Sequence, residues 1–183
     1  MAIKTMHFTN CWHEKSGGIA TFYRALAEAA ERKRQMMRLV VPGVSTATRD
    51  LNGYCRIYEL AAPFSVFHNG YRILYPNQYL RPGSPIRQIL ATEKPDLVEV
   101  CDKYTLHYLA ALLRQSLMKD VSVRPAVIGL TCERMDENVS AYWGPYLRGR
   151  VGKWVCDAFA AWYMRRFYFP FFDHHIAVSH HTA

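Results

Sequence analysis

The sequence lacks long apolar runs, close cysteine pairs and the common phosphate-binding fingerprints, and each absence removes a class of protein. Without a run of about 18 apolar residues, no membrane-spanning helix is expected. The five cysteines (Cys11, Cys55, Cys101, Cys132 and Cys156) are widely spaced, odd in number and never form Cys-x-x-Cys. With no secretory leader in view, that pattern argues against a disulfide framework or a structural zinc site. The thiols read instead as small buried hydrophobes, and the expected location is the cytoplasm. Neither G-x-G-x-x-G nor a Walker loop is present, which takes support from dinucleotide and ATP binding. Internal repeats and low-complexity tracts are absent as well.

What is abundant is positive charge: the 183 residues carry a formal +8, and the isoelectric point is near 9.4. Such a balance favours anionic partners, namely nucleotide phosphates, a phospholipid surface or nucleic acid. The basic residues are dispersed and no reading motif accompanies them, so nucleic acid is not an expected partner. With 50% hydrophobic and 21% charged residues, the chain has an ordinary globular composition and a length suited to one core.

Short strand-like runs alternate with helical ones. Lys4–Thr9, Met36–Val41 (ended by Pro42-Gly43), Cys55–Ala61, Asp96–Cys101, Ala126–Thr131 and His174–Val178 read as strands. Ile19–Lys33 reads as a helix burying Ile19, Phe22, Leu26 and Ala30. Ile86–Glu93 is a second, and Tyr104–Leu117 a third, with Leu106, Leu109, Ala110 and Leu113 inward. Pro63–Pro85 reads as a long irregular loop holding at most a short helix. Tyr146–Phe172 is the longest helical candidate, interleaving aromatic with basic residues. Packing on the sheet is the expectation for it. Peripheral contact of some of its basic residues with a membrane is the alternative. Strands separated by helices imply crossovers, hence an α/β fold: a doubly wound, mainly parallel sheet with helices on both faces. Ligands then belong beyond the carboxyl ends of the strands, in the loops Asn10–Gly18, Cys101–Tyr104, Thr131–Asn138 and from Ser179 onward.

Those loops hold the chemistry-bearing residues. Gly17-Gly18 opens a helix, where the backbone can approach a ligand and unpaired N–H groups favour phosphate or carboxylate; a purely structural tight turn is the alternative. Thr131–Asn138 gathers Cys132, Glu133, Arg134, Asp136 and Glu137, a set suited to a hydroxyl-rich or phosphorylated ligand, or else to a solvated helix start. Asp102-Lys103 is similar. His7, Cys11 and His13 match no zinc spacing, and His174-His175 and His180-His181 cannot easily converge on one ion, so no metal is expected.

The order of the segments SGGIATFYRALAEAAERKR, KPDLVEVCDKYTLHYLAALLR, RPAVIGLTCERMDENV and FDHHIAVSHHTA resembles the amino-terminal domain of family-4 (GT-B) retaining glycosyltransferases across nearly the whole chain. The resemblance implies a Rossmann-like domain that takes part in moving a hexosyl unit, commonly mannose or glucose, from a GDP- or UDP-sugar. The acceptor would be a lipid-linked sugar or a glycan, and no cofactor beyond the nucleotide-sugar co-substrate is implied. It puts Gly17 and Gly18 at the donor diphosphate and Cys132 and Glu133 in the catalytic position. His13, Asp102, Lys103, Arg134, Asp136 and Ser179 become acceptor or sugar contacts. Two departures stand out. Many members have His where this chain has Cys132, and a thiol cannot orient a hydroxyl as imidazole does. The family's E-x7-E motif is missing, as no two glutamates here lie eight positions apart. The carboxy-terminal donor-binding domain is therefore expected outside these 183 residues, with little activity from this half alone. The alternative is a non-catalytic sugar- or nucleotide-binding, or partner-docking, Rossmann-like module.

Overall fold

The computed structural model describes residues 3–12, 17–65, 70–132, 134–143, 146 and 149–178. Seven strands form one sheet: β1 (Lys4–Thr9), β2 (Met36–Gly43), β3 (Ala47–Asp50), β4 (Cys55–Ala61), β5 (Leu97–Cys101), β6 (Ala126–Thr131) and β7 (His174–Ala177). Their spatial order is β3-β4-β2-β1-β5-β6-β7. Every pairing is parallel except β3 with β4. The expected doubly wound α/β sheet is the observed one. Because β2 lies on one side of β1 and β5 on the other, the winding reverses at β1, and a crevice opens beyond the carboxyl ends of β1 and β5.

Five helices join the strands: α1 (Gly17–Arg32), α2 (Pro85–Glu93), α3 (His107–Arg114), α4 (Met135–Trp143) and α5 (Gly149–Tyr163). One face of the sheet packs Met37, Leu39, Ile57, Cys101 and Leu130 against Tyr23 and Ala27 of α1. The other face packs Met6, Phe8, Val98, Val100 and Val127 against Leu90 of α2, Leu109 and Leu113 of α3, and Tyr168 and Phe172. Both faces of the central strands are thus apolar, as their sequences read. Gly129 is the small residue in AVIGLT for a packing reason: a Cβ there would lie 2.7 Å from His175 Nδ1 and 3.2 Å from Phe172.

Several boundaries differ from the sequence reading. Pro42-Gly43 does not end β2; Pro42 pairs with Leu60 and Gly43 with Ala61. The β1 register stops at Val40, so β2 is bonded on one side only at that point and the missing proline N–H disturbs nothing. β3 was not anticipated, because its four residues are all exposed and carry no apolar alternation. Cross-strand ion pairs Arg49–Glu59 and Arg56–Asp50 hold it. α1 buries Ala20, Tyr23 and Ala27 most deeply; of the expected stripe, Ile19, Leu26 and Ala30 pack partly buried against the same cluster, while Phe22 is 39% exposed. Small residues let this helix lie close to the sheet, with Tyr23 reaching inward.

The long helix expected over 146–172 is instead α5, a π-helical stretch at Met164–Tyr168 and a 3-10 turn at Phe169–Phe171. It is preceded by α4, which the sequence reading left as a loop and helix start. α4 and α5 share a small apolar cluster of their own, Val139, Cys156 and Ala160 with Met135 and Phe159. The chain returns to the sheet at Met164, Tyr168 and Phe172, all buried. Among the described residues no helix is long and apolar enough to cross a membrane.

Candidate functional site at the reversal of the sheet

The crevice between β1 and β5 holds a small pocket of about 30 Å³, lined by Cys11, Ile19, Cys101, Asp102, Lys103, Tyr104, Leu130 and Cys132. Its walls come from the ends of β1, β5 and β6 and the first turn of α1. Of the residues singled out in sequence, it brings together Asp102, Lys103 and Cys132. Cys11 and Tyr104 join them; both lie in loops the strand-end rule had marked, but no pattern in the sequence named their side chains.

Asp102 is buried, and its carboxylate is fully engaged. Oδ1 accepts the backbone N–H groups of Tyr104 at 3.0 Å, Thr105 at 2.6 Å and Leu106 at 2.7 Å. Oδ2 accepts from Asn10 Nδ2 at 2.9 Å. The carboxylate shapes the turn into α3, which is why that helix begins at His107 rather than at Tyr104. Asn10 Oδ1 in turn accepts the N–H of Leu74 at 2.9 Å, so the two side chains clamp β1, β5 and the 70s loop around the crevice. Lys103 is 5% exposed, and its carbonyl accepts the Tyr163 hydroxyl at 2.9 Å.

Three of the five thiols line this pocket. Cys101 and Cys132 Sγ atoms lie 3.6 Å apart. The hydrogen bond with Cys132 and then burial push the Cys101 thiol well above its ordinary range, which keeps it protonated and weakly nucleophilic. Cys132 is half-buried at the pocket wall. Among the described residues, no group of three or more His, Cys, Asp or Glu side chains is placed to hold a metal ion.

Gly17 and Gly18 form the exposed first turn of α1. Neither has a positive φ, so the tight-turn reading has no backbone support. A Cβ on either would meet no described heavy atom within 4 Å. The first N–H groups of a helix have no partner within the helix itself.

Arg134 sits before α4 with its guanidinium on Asp136, and with Nη1 3.1 Å from Glu137 Oε1. The hydrogen bond from Arg134 holds the Asp136 carboxyl below its usual range. These groups pair with one another at the helix start, and none of them lines the pocket. His13, Glu133 and Ser179 lie outside the described residues.

A second, wider hollow of about 310 Å³ lies beyond β2 and β4, with Asn10, Trp12, Gly43, Arg49, Glu59 and Arg72 in its wall. Behind the main pocket, His107 Nε2 is 3.1 Å from the Tyr163 hydroxyl, and burial pulls the imidazole pKa down to about 4. The site thus combines a thiol-rich apolar floor, a buried lysine and an open helix N-terminus. That chemistry suits a small anionic or hydroxyl-rich ligand. No family model matches the chain, and no curated protein matches it in sequence.

Proposed function

We propose that this domain is the acceptor-side half of a retaining, nucleotide-sugar-dependent glycosyltransferase, taking a GDP- or UDP-linked hexose at the crevice between β1 and β5. The observation that carries the reading is the start of α1 beside the pocket: Ile19 of its first turn lines the wall, and a Cβ on Gly17 or Gly18 would meet no described heavy atom within 4 Å. A diphosphate laid there would be held by backbone N–H groups and the helix dipole, with Lys103 as the nearby cation. Cys132 and Glu133 would border the transferred sugar, and His13, Arg134, Asp136 and Ser179 would belong to the rim toward the acceptor. Asp102 supports the site by fixing the loop that carries Lys103. The donor would be shared with a second domain, since one wall excludes too little water to stabilise a leaving diphosphate.

The experiment is two-dimensional NMR of the labelled chain with millimolar UDP, GDP, UDP-glucose and GDP-mannose. Shifts confined to residues 17–19, 101–104 and 130–132 are expected. The Gly17→Ala, Gly18→Ala double variant should weaken binding by about tenfold or more while its melting temperature holds or rises, because alanine favours a helix over glycine. If no nucleotide moves those resonances, the reading is wrong.

A second reading, a non-catalytic sugar- or nucleotide-binding module, draws on the fact that the described acidic groups near the pocket are already engaged: Asp102 by amides, Asp136 and Glu137 by Arg134. Binding of donor with no transfer, even with a carboxy-terminal domain supplied, would select it.

A further inference from the structure

Helix α5 is apolar on two sides. Gly152, Cys156 and Ala160 face inward and are buried. On the opposite side, at helical spacing, stand Val151, Trp154, Ala158 and Trp162, all exposed. Val151 is 75% exposed, Trp154 70% and Trp162 53%. A surface helix ordinarily turns a charged face to water, and an outward stripe of this kind marks an interaction site. Sheet packing, expected for this segment as a whole, holds for Tyr168 and Phe172 but not for Trp154 and Trp162, which are exposed.

The charge around the stripe has one sign. Arg150, Arg165 and Arg166 flank it, all exposed and in no ion pair with a described residue. The nearby acids are held in ion pairs: Asp157 with Lys153 at 3.0 Å, and Asp136 and Glu137 both with Arg134. Indole rings with unpaired guanidinium groups around them suit the boundary between lipid headgroups and acyl chains, where rings sit at headgroup level and Arg pairs with phosphate.

We propose that the outer face of α5 docks this protein on an anionic lipid surface, with Trp154 and Trp162 inserted at the headgroup level and Arg150, Arg165 and Arg166 on lipid phosphates. A second copy fits less well, since the same arginines would face each other across a symmetric contact. A single-stranded nucleic acid would need a groove to track its backbone, and a convex helix offers none. The hairpin is bonded to the rim of the crevice through Tyr163 on the Lys103 carbonyl and Asn138 on the Tyr104 hydroxyl at 3.0 Å. Docking therefore brings the pocket beside the bilayer. The further step, that the acceptor is itself lipid-linked, rests on the proposed transferase reading, whereas docking does not.

The test is co-sedimentation of the intact chain with phosphatidylcholine vesicles, with and without phosphatidylglycerol, together with quenching of tryptophan emission by brominated lipid. Binding only to the anionic vesicles is expected, with quenching. Replacing Arg165 and Arg166 together by Gln should weaken it roughly thirtyfold. A Trp154→Ser, Trp162→Ser variant should lose the quenching at unchanged circular dichroism. The proposal is overturned by absence of binding to anionic vesicles, or by quenching that survives in the double serine variant. It is also overturned by tighter capture of polyuridylate than of vesicles, or by a dimer in light scattering that the Trp154→Ser change abolishes. Failure here leaves the nucleotide-induced NMR shifts untouched, so the two readings fall separately.

Discussion

Glu99 lies mid-strand in β5 with Oε2 2.7 Å from His7 Nδ1 and Oε1 accepting the Tyr23 hydroxyl at 2.9 Å. His7 Nε2 is 3.0 Å from Thr5 Oγ1. These contacts stitch α1 to both central strands through groups that water does not reach. Tyr23→Phe would leave one carboxylate oxygen buried without its donor, so urea unfolding should show a loss of about 1–3 kcal/mol. Phe22→Ala, one position away, should cost less, about 1 kcal/mol or under, because that residue keeps 39% of its surface in solvent and strands no buried polar group. His107 gives a pH-dependent counterpart. Burial lowers its pKa from 6.5 to about 4, so the unfolded chain binds the proton more tightly between those values. Its share of stability is complete above pH 6.5 and is lost as pH falls toward 4, at most ~3 kcal/mol. Unfolding free energies of wild type against His107→Phe, measured across that window, should show a shallower acid slope in the variant.

At the scale of elements, the ends of α1, α2 and α3 share a peculiarity. Each stops at a non-glycine residue in the left-handed region: Arg34 at φ 52°, Lys94 at φ 47° and Ser116 at φ 54°. The N–H groups of Gln35 and Leu117, one residue further on, reach back to the carbonyls of Ala30 and Leu112, the pattern that usually recruits glycine. Arg34→Gly, Lys94→Gly and Ser116→Gly should each stabilise by up to about 1 kcal/mol, read as a rise in melting temperature. Strands were the most legible elements, since β1, β4 and β6 carry dense apolar runs that local pattern alone reveals. α4 and β3 were opaque because neither has an apolar face wide enough to signal itself. The face of α1 was legible in part. Ile19, Leu26 and Ala30 of the apolar stripe pack on the core, but the most buried positions went to small residues and to a tyrosine whose hydroxyl has a carboxylate to meet. Loop positions of the site followed from strand order, but no periodicity could tell that Asp102 would be spent on the amides of 104–106 or that Cys11 would join Cys101 and Cys132.

Taken whole, the molecule separates its anchoring from its pocket. At the amino ends of the strands, Glu93 of α2 meets Lys4 Nζ at 3.0 Å, Arg38 Nε at 2.8 Å and the Tyr58 hydroxyl at 2.5 Å. Burial by itself would raise this carboxyl, but bonds from Tyr58, Arg38 and Lys4 hold it at about 2. Its contribution is therefore full above pH 4.5 and fades as pH drops toward 2. Glu93→Ala should cost about 3 kcal/mol in chemical denaturation by stranding its partners, while ligand-induced NMR shifts at the pocket stay as in wild type, since the pocket is at the opposite ends of the strands.

The central place of β1 also sets an order of events during synthesis. β1, β2 and β4 emerge close together and can pair early, yet β5 arrives about ninety residues after its partner, and such distant parallel pairing is slow to form. The pocket needs Cys11, the 101–104 loop and the 130–132 loop at once. A nascent chain holding the first strands of the sheet therefore has no complete binding surface until residue 132 has left the ribosome.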